Sequence, residues 1–260
     1  MTLVELVQAQ ADRLKRAGVS YGHGTTNAFD EAAWLVTWAL GLPLDALEAK
    51  AKTEVAPADA VEATALVAKR IETRHPAAYL TKEAWLQDIP FTIDERSIVP
   101  RSFIAELLVD PEETGTLDGW LTEGTRRVLD LLEVALLYPE ITVDAADVSA
   151  PALELARINI ARHKLDKRIA VIESDLFAAL HGHYDLIVCN PPYVNDASMA
   201  ALPPEYRAEP ALALAGGADG MNLVRRIVAG ASAHLSEVGV LVLEVGHEQR
   251  HFEAAFPRLE

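Results

Sequence analysis

Cysteine is almost missing from this chain: Cys189 is the only one in 260 residues. A lone cysteine excludes an internal disulfide and any cysteine-rich metal site. No run of about 18 uncharged apolar residues occurs, which argues against a transmembrane helix. Met1 to Gln8 lack the basic stretch and apolar core of a signal peptide, so a cytoplasmic protein is expected. Basic charge is scarce, with 23 Lys and Arg against 39 Asp and Glu and a formal net charge of −16. Nucleic-acid affinity comes largely from Lys and Arg neutralising phosphates, so stable DNA binding is not expected. The same charge would steer a basic protein partner, although acidity of this kind also simply keeps proteins soluble. The eight histidines show no His-His-carboxylate spacing suited to a metal.

What is present falls into two textures. Leu3, Leu6, Ala9 and Leu14 recur at helical spacing until Gly18. Asn27 can cap a second helix that Gly41 and Pro43 end, and a third pattern runs from about Pro57 to Arg74 before His75-Pro76. Between Trp85 and Ser102 two short strands, Ile89–Ile93 and Arg96–Val99, are expected around an Asp94-Glu95 turn. After Arg126 strands alternate with helices. The strands read as Arg127–Leu131, Ile141–Ala145, Ile169–Ile172, Tyr184–Cys189 and Gly239–Val245. Ser149 caps one intervening helix, with a stripe of Leu153, Ala156 and Ile160, and another runs from about Met221 to Leu235. This alternation predicts an α/β domain with a mostly parallel sheet, which binds ligands beyond the carboxyl ends of its strands. The expected organisation is a helical domain over 1–84, a linking hairpin over 85–102 and the α/β domain over 103–260.

Asn190-Pro191-Pro192-Tyr193 follows directly on the apolar strand Asp185–Cys189. Two prolines fix the backbone and remove two amide donors, and Asn190 is held extended by the proline after it. The Asn190 side-chain carbonyl and the Pro191 main-chain carbonyl can then accept the two hydrogens of a planar NH₂ group. An amide or arylamine nitrogen is a poor nucleophile because its lone pair is delocalised. Two fixed acceptors orient it and stabilise the positive charge that develops as it attacks a sulfonium methyl. Tyr193 adds an aromatic face for a planar group. As plain structure, Asn-Pro would be a strand-ending turn. Asp147 and Asp175 follow two other strands, where a carboxylate can hold ribose hydroxyls or an adenine amino group; either alone reads more often as a helix cap, and the Asn190–Tyr193 loop reverses that balance.

On these residues the chain resembles the N5-glutamine methyltransferases, a branch of the seven-strand Rossmann-like methyltransferases, over nearly its whole length. Gly22-His23-Gly24-Thr25 with Asn27 and Glu31, Pro76 to Thr81, and Val99-Pro100-Arg101-Ser102 are similar to enzymes acting on large-subunit ribosomal protein L-three. The release-factor branch usually has Pro-Arg-Pro-Glu-Thr-Glu where this chain has Pro100 to Ala105. The resemblance implies S-adenosylmethionine as cofactor and a ribosomal protein as substrate. It implies that Asn190, Pro191, Pro192 and Tyr193 bind the glutamine, that Asp147, Asp175 and Leu176 line the cofactor site, and that Asp130 borders it. Glu205 to Gly217 also matches a family segment. A DNA adenine-N6 methyltransferase uses a similar loop on a flipped base, so that reading and a release-factor enzyme stay open.

One expected feature is missing. The family has a glycine-rich loop after the first strand, where the backbone approaches the cofactor closely. Here no glycine lies between Val128 and Ile141. With strands ending at Leu131 and starting at Ile141, nine residues remain, fewer than the roughly 10–12 of a parallel crossover. The sequence therefore predicts either a further glycine-containing segment near Leu131-Leu132 or a variant with impaired cofactor binding, down to a non-enzymatic binding protein. Past Gly239–Val245 the family's closing hairpin, expected beyond Phe256-Pro257, is not readable.

Overall fold

The computed structural model describes residues 1–109, 121, 124–129 and 132–259. They divide into two compact units. One comprises Met1–Trp85, Ile93–Pro100 and Leu202–Glu209; the other comprises Leu86–Thr92, Arg101–Ala201 and Pro210–Glu260. The helical unit thus takes in a segment, Leu202–Glu209, from far along the chain. No described helix is long and apolar enough to cross a membrane.

In the helical unit, Thr2 and Glu5 form a reciprocal capping box that opens the helix Leu3–Ala17. Gly18, at φ 60°, closes it in the left-handed conformation that costs glycine nothing. Asn27 accepts the N–H groups of Phe29 and Asp30 and opens Ala28–Ala39. Pro57 occupies the first turn of Pro57–Thr73, and Arg74 ends it at φ 59°. The three helices pack on one another around fully buried Leu6, Val7, Leu14, Leu35, Val36 and Val67. Beside this apolar contact lies a buried charge network. Arg70 pairs with Glu31 at 2.9 Å and with Glu205 at 3.3 Å, and Arg74 pairs with Glu205 at 2.8 Å. Glu209 accepts the Val99 N–H at 2.9 Å and lies 3.4 Å from His23. Burial leads in pushing the Glu31 carboxyl above its ordinary pKa, opposed by Arg70 and the Thr25 hydroxyl.

The expected hairpin sits earlier in the chain. Strands β1 (Glu83–Leu86) and β2 (Ile89–Thr92) flank Gln87 and Asp88, both at positive φ (49° and 61°), as a type I′ turn requires. Arg96–Val99 is not a strand. There Asp94 accepts the Arg96 N–H at 3.1 Å and its guanidinium at 2.8 Å, a local turn that competes with extended pairing.

The second unit is built on a parallel sheet of β3 (Arg127–Leu129), β4 (Thr142–Asp147), β5 (Ile169–Glu173), β6 (Tyr184–Cys189) and β9 (Leu235–Leu243), in the order β5-β4-β3-β6-β9. A small parallel pair, β7 (Val194–Asn195) with β8 (Ala215–Gly217), stands apart. Alternate residues of the main strands feed opposite cores. Val128, Val143, Leu186 and Val188 pack with Ile160 and Leu165 on one face. Leu129 and Ile187 pack with Leu180 and Ala231 on the other. Burial on both faces explains the near-continuous apolar strands. At the strand starts, Asp185 accepts the N–H groups of Arg126 and Arg127 and the Ser236 hydroxyl, bracing β3, β6 and β9. Asn159, on the helix Ala150–Arg162, bonds both the N–H (2.7 Å) and the C=O (2.9 Å) of Thr92, so one side chain does the work of a strand partner for β2.

The crossover that looked too short for a parallel pair is made. β3 and β4 are parallel neighbours, with Leu129 opposite Asp144, and Leu132–Leu137 is helical between them. β4 starts at Thr142, one residue later than expected, which lengthens the connection by one, and a helical crossover fits between the described strands. The expected extra segment near Leu131-Leu132 falls at Asp130 and Leu131, outside the described residues.

Candidate active site

The chain winds outward from β3 to β4 and β5, then returns to β6 beside β3. The switch point is therefore between β3 and β6, and ligands in such sheets bind outside the carboxyl ends of the strands there. Asn190 follows β6 directly. Its side-chain Nδ2 donates to the Arg101 carbonyl over 3.4 Å, which turns Oδ1 away as the acceptor it can present. Pro191 is buried; Pro192 and Tyr193 are half-buried. The segment that meets Asn190 is itself fixed to the next strand end. The Ser102 hydroxyl and the Phe103 N–H both donate to Glu244, at 2.9 and 3.1 Å, and the Glu244 N–H donates to the Cys189 carbonyl at 2.9 Å. Cys189 is half-buried at this junction rather than sealed in the core.

Asp147 is the last residue of β4, one strand from the switch point, and accepts the Ser149 N–H at 2.7 Å. Desolvation raises its pKa, while backbone N–H groups of Ser149 and Val148 pull the other way. The residue is nonetheless exposed. Leu176 takes φ 52°, a conformation a branched side chain adopts only when its surroundings impose it. Its carbonyl accepts the Ser174 hydroxyl at 2.7 Å. Asp175 instead faces solvent in an ion pair with Arg226 at 2.8 Å. Asp130 lies outside the described residues. Four predicted positions, Asn190 to Tyr193, thus form one loop at the end of β6, and Asp147 stands at the end of β4.

Residues 128–202 match the Methyltransferase small domain family model. The chain is 50% identical to a ribosomal protein uL3 glutamine methyltransferase of Bordetella pertussis, covering 100% of this chain and 89% of the relative. It is 46% identical to the protein of the same name from Burkholderia pseudomallei, with the same coverage of both chains. This chain belongs to the ribosomal protein uL3 glutamine methyltransferase family. Among solved structures it is similar to the hMettl16 catalytic domain in complex with MAT2A 3'UTR hairpin 6, at TM-score 0.48 and 14% identity over 77% of this chain and 73% of that one. Its methyl donor is S-adenosylmethionine.

The match to the Bordetella protein runs over 270 positions against 260 residues here, so that family member carries at least ten positions this chain lacks. The residues at this edge that give no signal in sequence are Glu244 and Glu248. Glu248 is 2% exposed and accepts the Asn195 side-chain amide at 2.6 Å, directly beyond the Asn190–Tyr193 loop. Each is a single acid in unremarkable surroundings, and only the three-dimensional convergence of strand ends singles it out.

Proposed function

We propose that the chain methylates the side-chain amide nitrogen of a glutamine in ribosomal protein uL3, using the Asn190–Tyr193 loop to hold that amide. The observation that carries this reading is the orientation of Asn190. Its NH₂ is engaged by Arg101, so its carbonyl oxygen is the group available to a substrate at the carboxyl end of β6. When bound, S-adenosylmethionine supplies an electrophilic methyl group. Asn190 Oδ1 and the Pro191 carbonyl accept the two hydrogens of the glutamine NH₂, which fixes the nitrogen and favours the charge it develops. The rigid backbone of Pro191-Pro192 keeps the two acceptors from reorganising. Tyr193 offers its ring to the flat amide. Asp147 holds the cofactor's ribose through its open carboxylate, and Leu176 gives an apolar wall for the adenine. Asp175 serves the adenine amino group only if its pair with Arg226 opens. The acidic balance of the chain attracts a basic substrate protein, and the helical unit recognises it.

The test is incubation with methyl-labelled S-adenosylmethionine and either purified uL3 or duplex DNA. Label recovered as N5-methylglutamine from uL3 is the expected result. Label in adenine of the DNA, with none in protein, would overturn the reading in favour of a base methyltransferase.

A further inference from the structure

The far end of the Asn190–Tyr193 loop is held by three segments that converge on Tyr193 to Asn195. Val194 donates its N–H to the Leu214 carbonyl at 2.9 Å, at the β7–β8 pair. Gly220, at φ 77°, lies so close to the Tyr193 carbonyl that a Cβ there would overlap the oxygen. Gly246, at φ 48°, lies under the Tyr193 ring, where an added Cβ would meet three ring and hydroxyl atoms at 2.6 Å. His247 then meets the same ring edge-on, with centroids 6.2 Å apart. The third hold is a charge. Glu248, almost fully buried, takes both the main-chain N–H (3.4 Å) and the side-chain Nδ2 (2.6 Å) of Asn195 on one oxygen. Its other oxygen meets His251 Nδ1, and His247 Nε2 lies 3.2 Å from the first.

From this convergence we infer that Glu248 is a positioning residue for methyl transfer. Its carboxylate anchors Asn195 and so sets Tyr193 over the acceptor amide, while Gly220 and Gly246 provide the space that placement needs. The inference rests on the reading of Asn190–Tyr193 as the acceptor loop. A buried carboxylate accepting two bonds from one residue fixes both the backbone and the side chain of that residue, which one neutral hydrogen bond does not. Burial opposes its ionisation, but the hydrogen bonds from His251 and Asn195 and the nearby His247 hold its pKa below the ordinary glutamate value. The anchor is therefore charged throughout the neutral range.

Misplacing a reacting group by about 1 Å costs on the order of 10²-fold in rate. Glu248→Ala is expected to lower kcat on uL3 by about that factor, with S-adenosylmethionine affinity by calorimetry within twofold of wild type. Glu248→Gln keeps an acceptor oxygen for Asn195 but loses the charge, and is expected to restore part of the rate. A residue that merely stabilised the fold would weaken cofactor binding in step with the rate. Hydrogen exchange gives a readout independent of activity: the Asn195 amide should exchange at least tenfold faster in Glu248→Ala while the Val143 amide in β4 stays protected. Gly246→Ala should reproduce the kcat loss by displacing the Tyr193 ring. Asn190→Ala in the same assay separates the two levels. Rate lost in Asn190→Ala but kept in Glu248→Ala overturns this inference alone; rate kept in both overturns the acceptor-loop reading as well.

Discussion

The two units are held together by different physics. The parallel sheet is sealed on both faces by aliphatic side chains, and Asp185 and Asp144, near the strand starts, are each met by hydrogen-bond donors. The helical unit adds to its apolar contact a buried arginine serving two glutamates that lie far apart in sequence, Glu31 and Glu205. Apolar burial is non-directional and degrades gradually. A buried ion network depends on every partner, because removing one leaves the others desolvated and unpaired. The sheet should therefore tolerate substitution better than the helical unit does.

The harshest way to break this contrast is Arg70→Ala. It strands Glu31 and leaves Glu205 to Arg74 alone, and is expected to cost about 3–5 kcal/mol, read as a shift in denaturant midpoint. Replacing Arg70 by Met together with Glu31 by Leu should recover part of that loss; no recovery would mean the network is more than matched charge. In the sheet, Leu186→Ala removes a fully buried side chain and is expected to cost about 3 kcal/mol through transfer and cavity terms. A cost well above that of Arg70→Ala would invert the comparison.

Acid sharpens it. Burial opposes ionisation of Asp185, but bonds from Arg126, Arg127 and Ser236 outweigh it and depress its pKa. A carboxylate with a depressed folded pKa contributes stability above the ordinary aspartate value of about 3.9, and loses it as pH falls through the lower folded value. Glu31 runs the other way. Its raised pKa means its contribution is full below the unfolded value and lost as pH rises through the folded one. Asp185→Asn should therefore cost about 1–2 kcal/mol at neutral pH and flatten the acid limb of sheet stability, measured by amide exchange in β3 and β6. The smallest effect belongs to Arg226→Ala. Its pair with Asp175 is exposed on both sides, and the thermal midpoint should not move.

The sheet was legible because its strands are apolar on both faces. Tyr184–Cys189 was placed to the residue, since Asn190-Pro191 stops it. β9 starts four positions before the expected Gly239, at Leu235, because Ser236 reads as a loop residue yet bonds Asp185 within the strand. The β1–β2 turn was invisible because Gln87-Asp88 carries no glycine or asparagine although both residues take positive φ. The positions of the Asn190–Tyr193 loop directly after β6 and of Asp147 at the end of β4 were readable because the strands themselves were. Glu248 and the surface pairing of Asp175 were not, since both depend on which helix or turn meets the strand end from elsewhere in the chain. Arg70 with Glu205, 135 residues apart, was hidden for the same reason.

The most direct measurement of the central claim is single-turnover methyl transfer to uL3 by Asn190→Ala, run beside calorimetric binding of S-adenosylmethionine. With Asn190 in its proposed role at the acceptor amide, the rate should fall by about 10²–10³ while cofactor affinity stays within twofold of wild type. Turnover at the wild-type rate, or a loss of cofactor affinity that accounts for the slower rate, would contradict it.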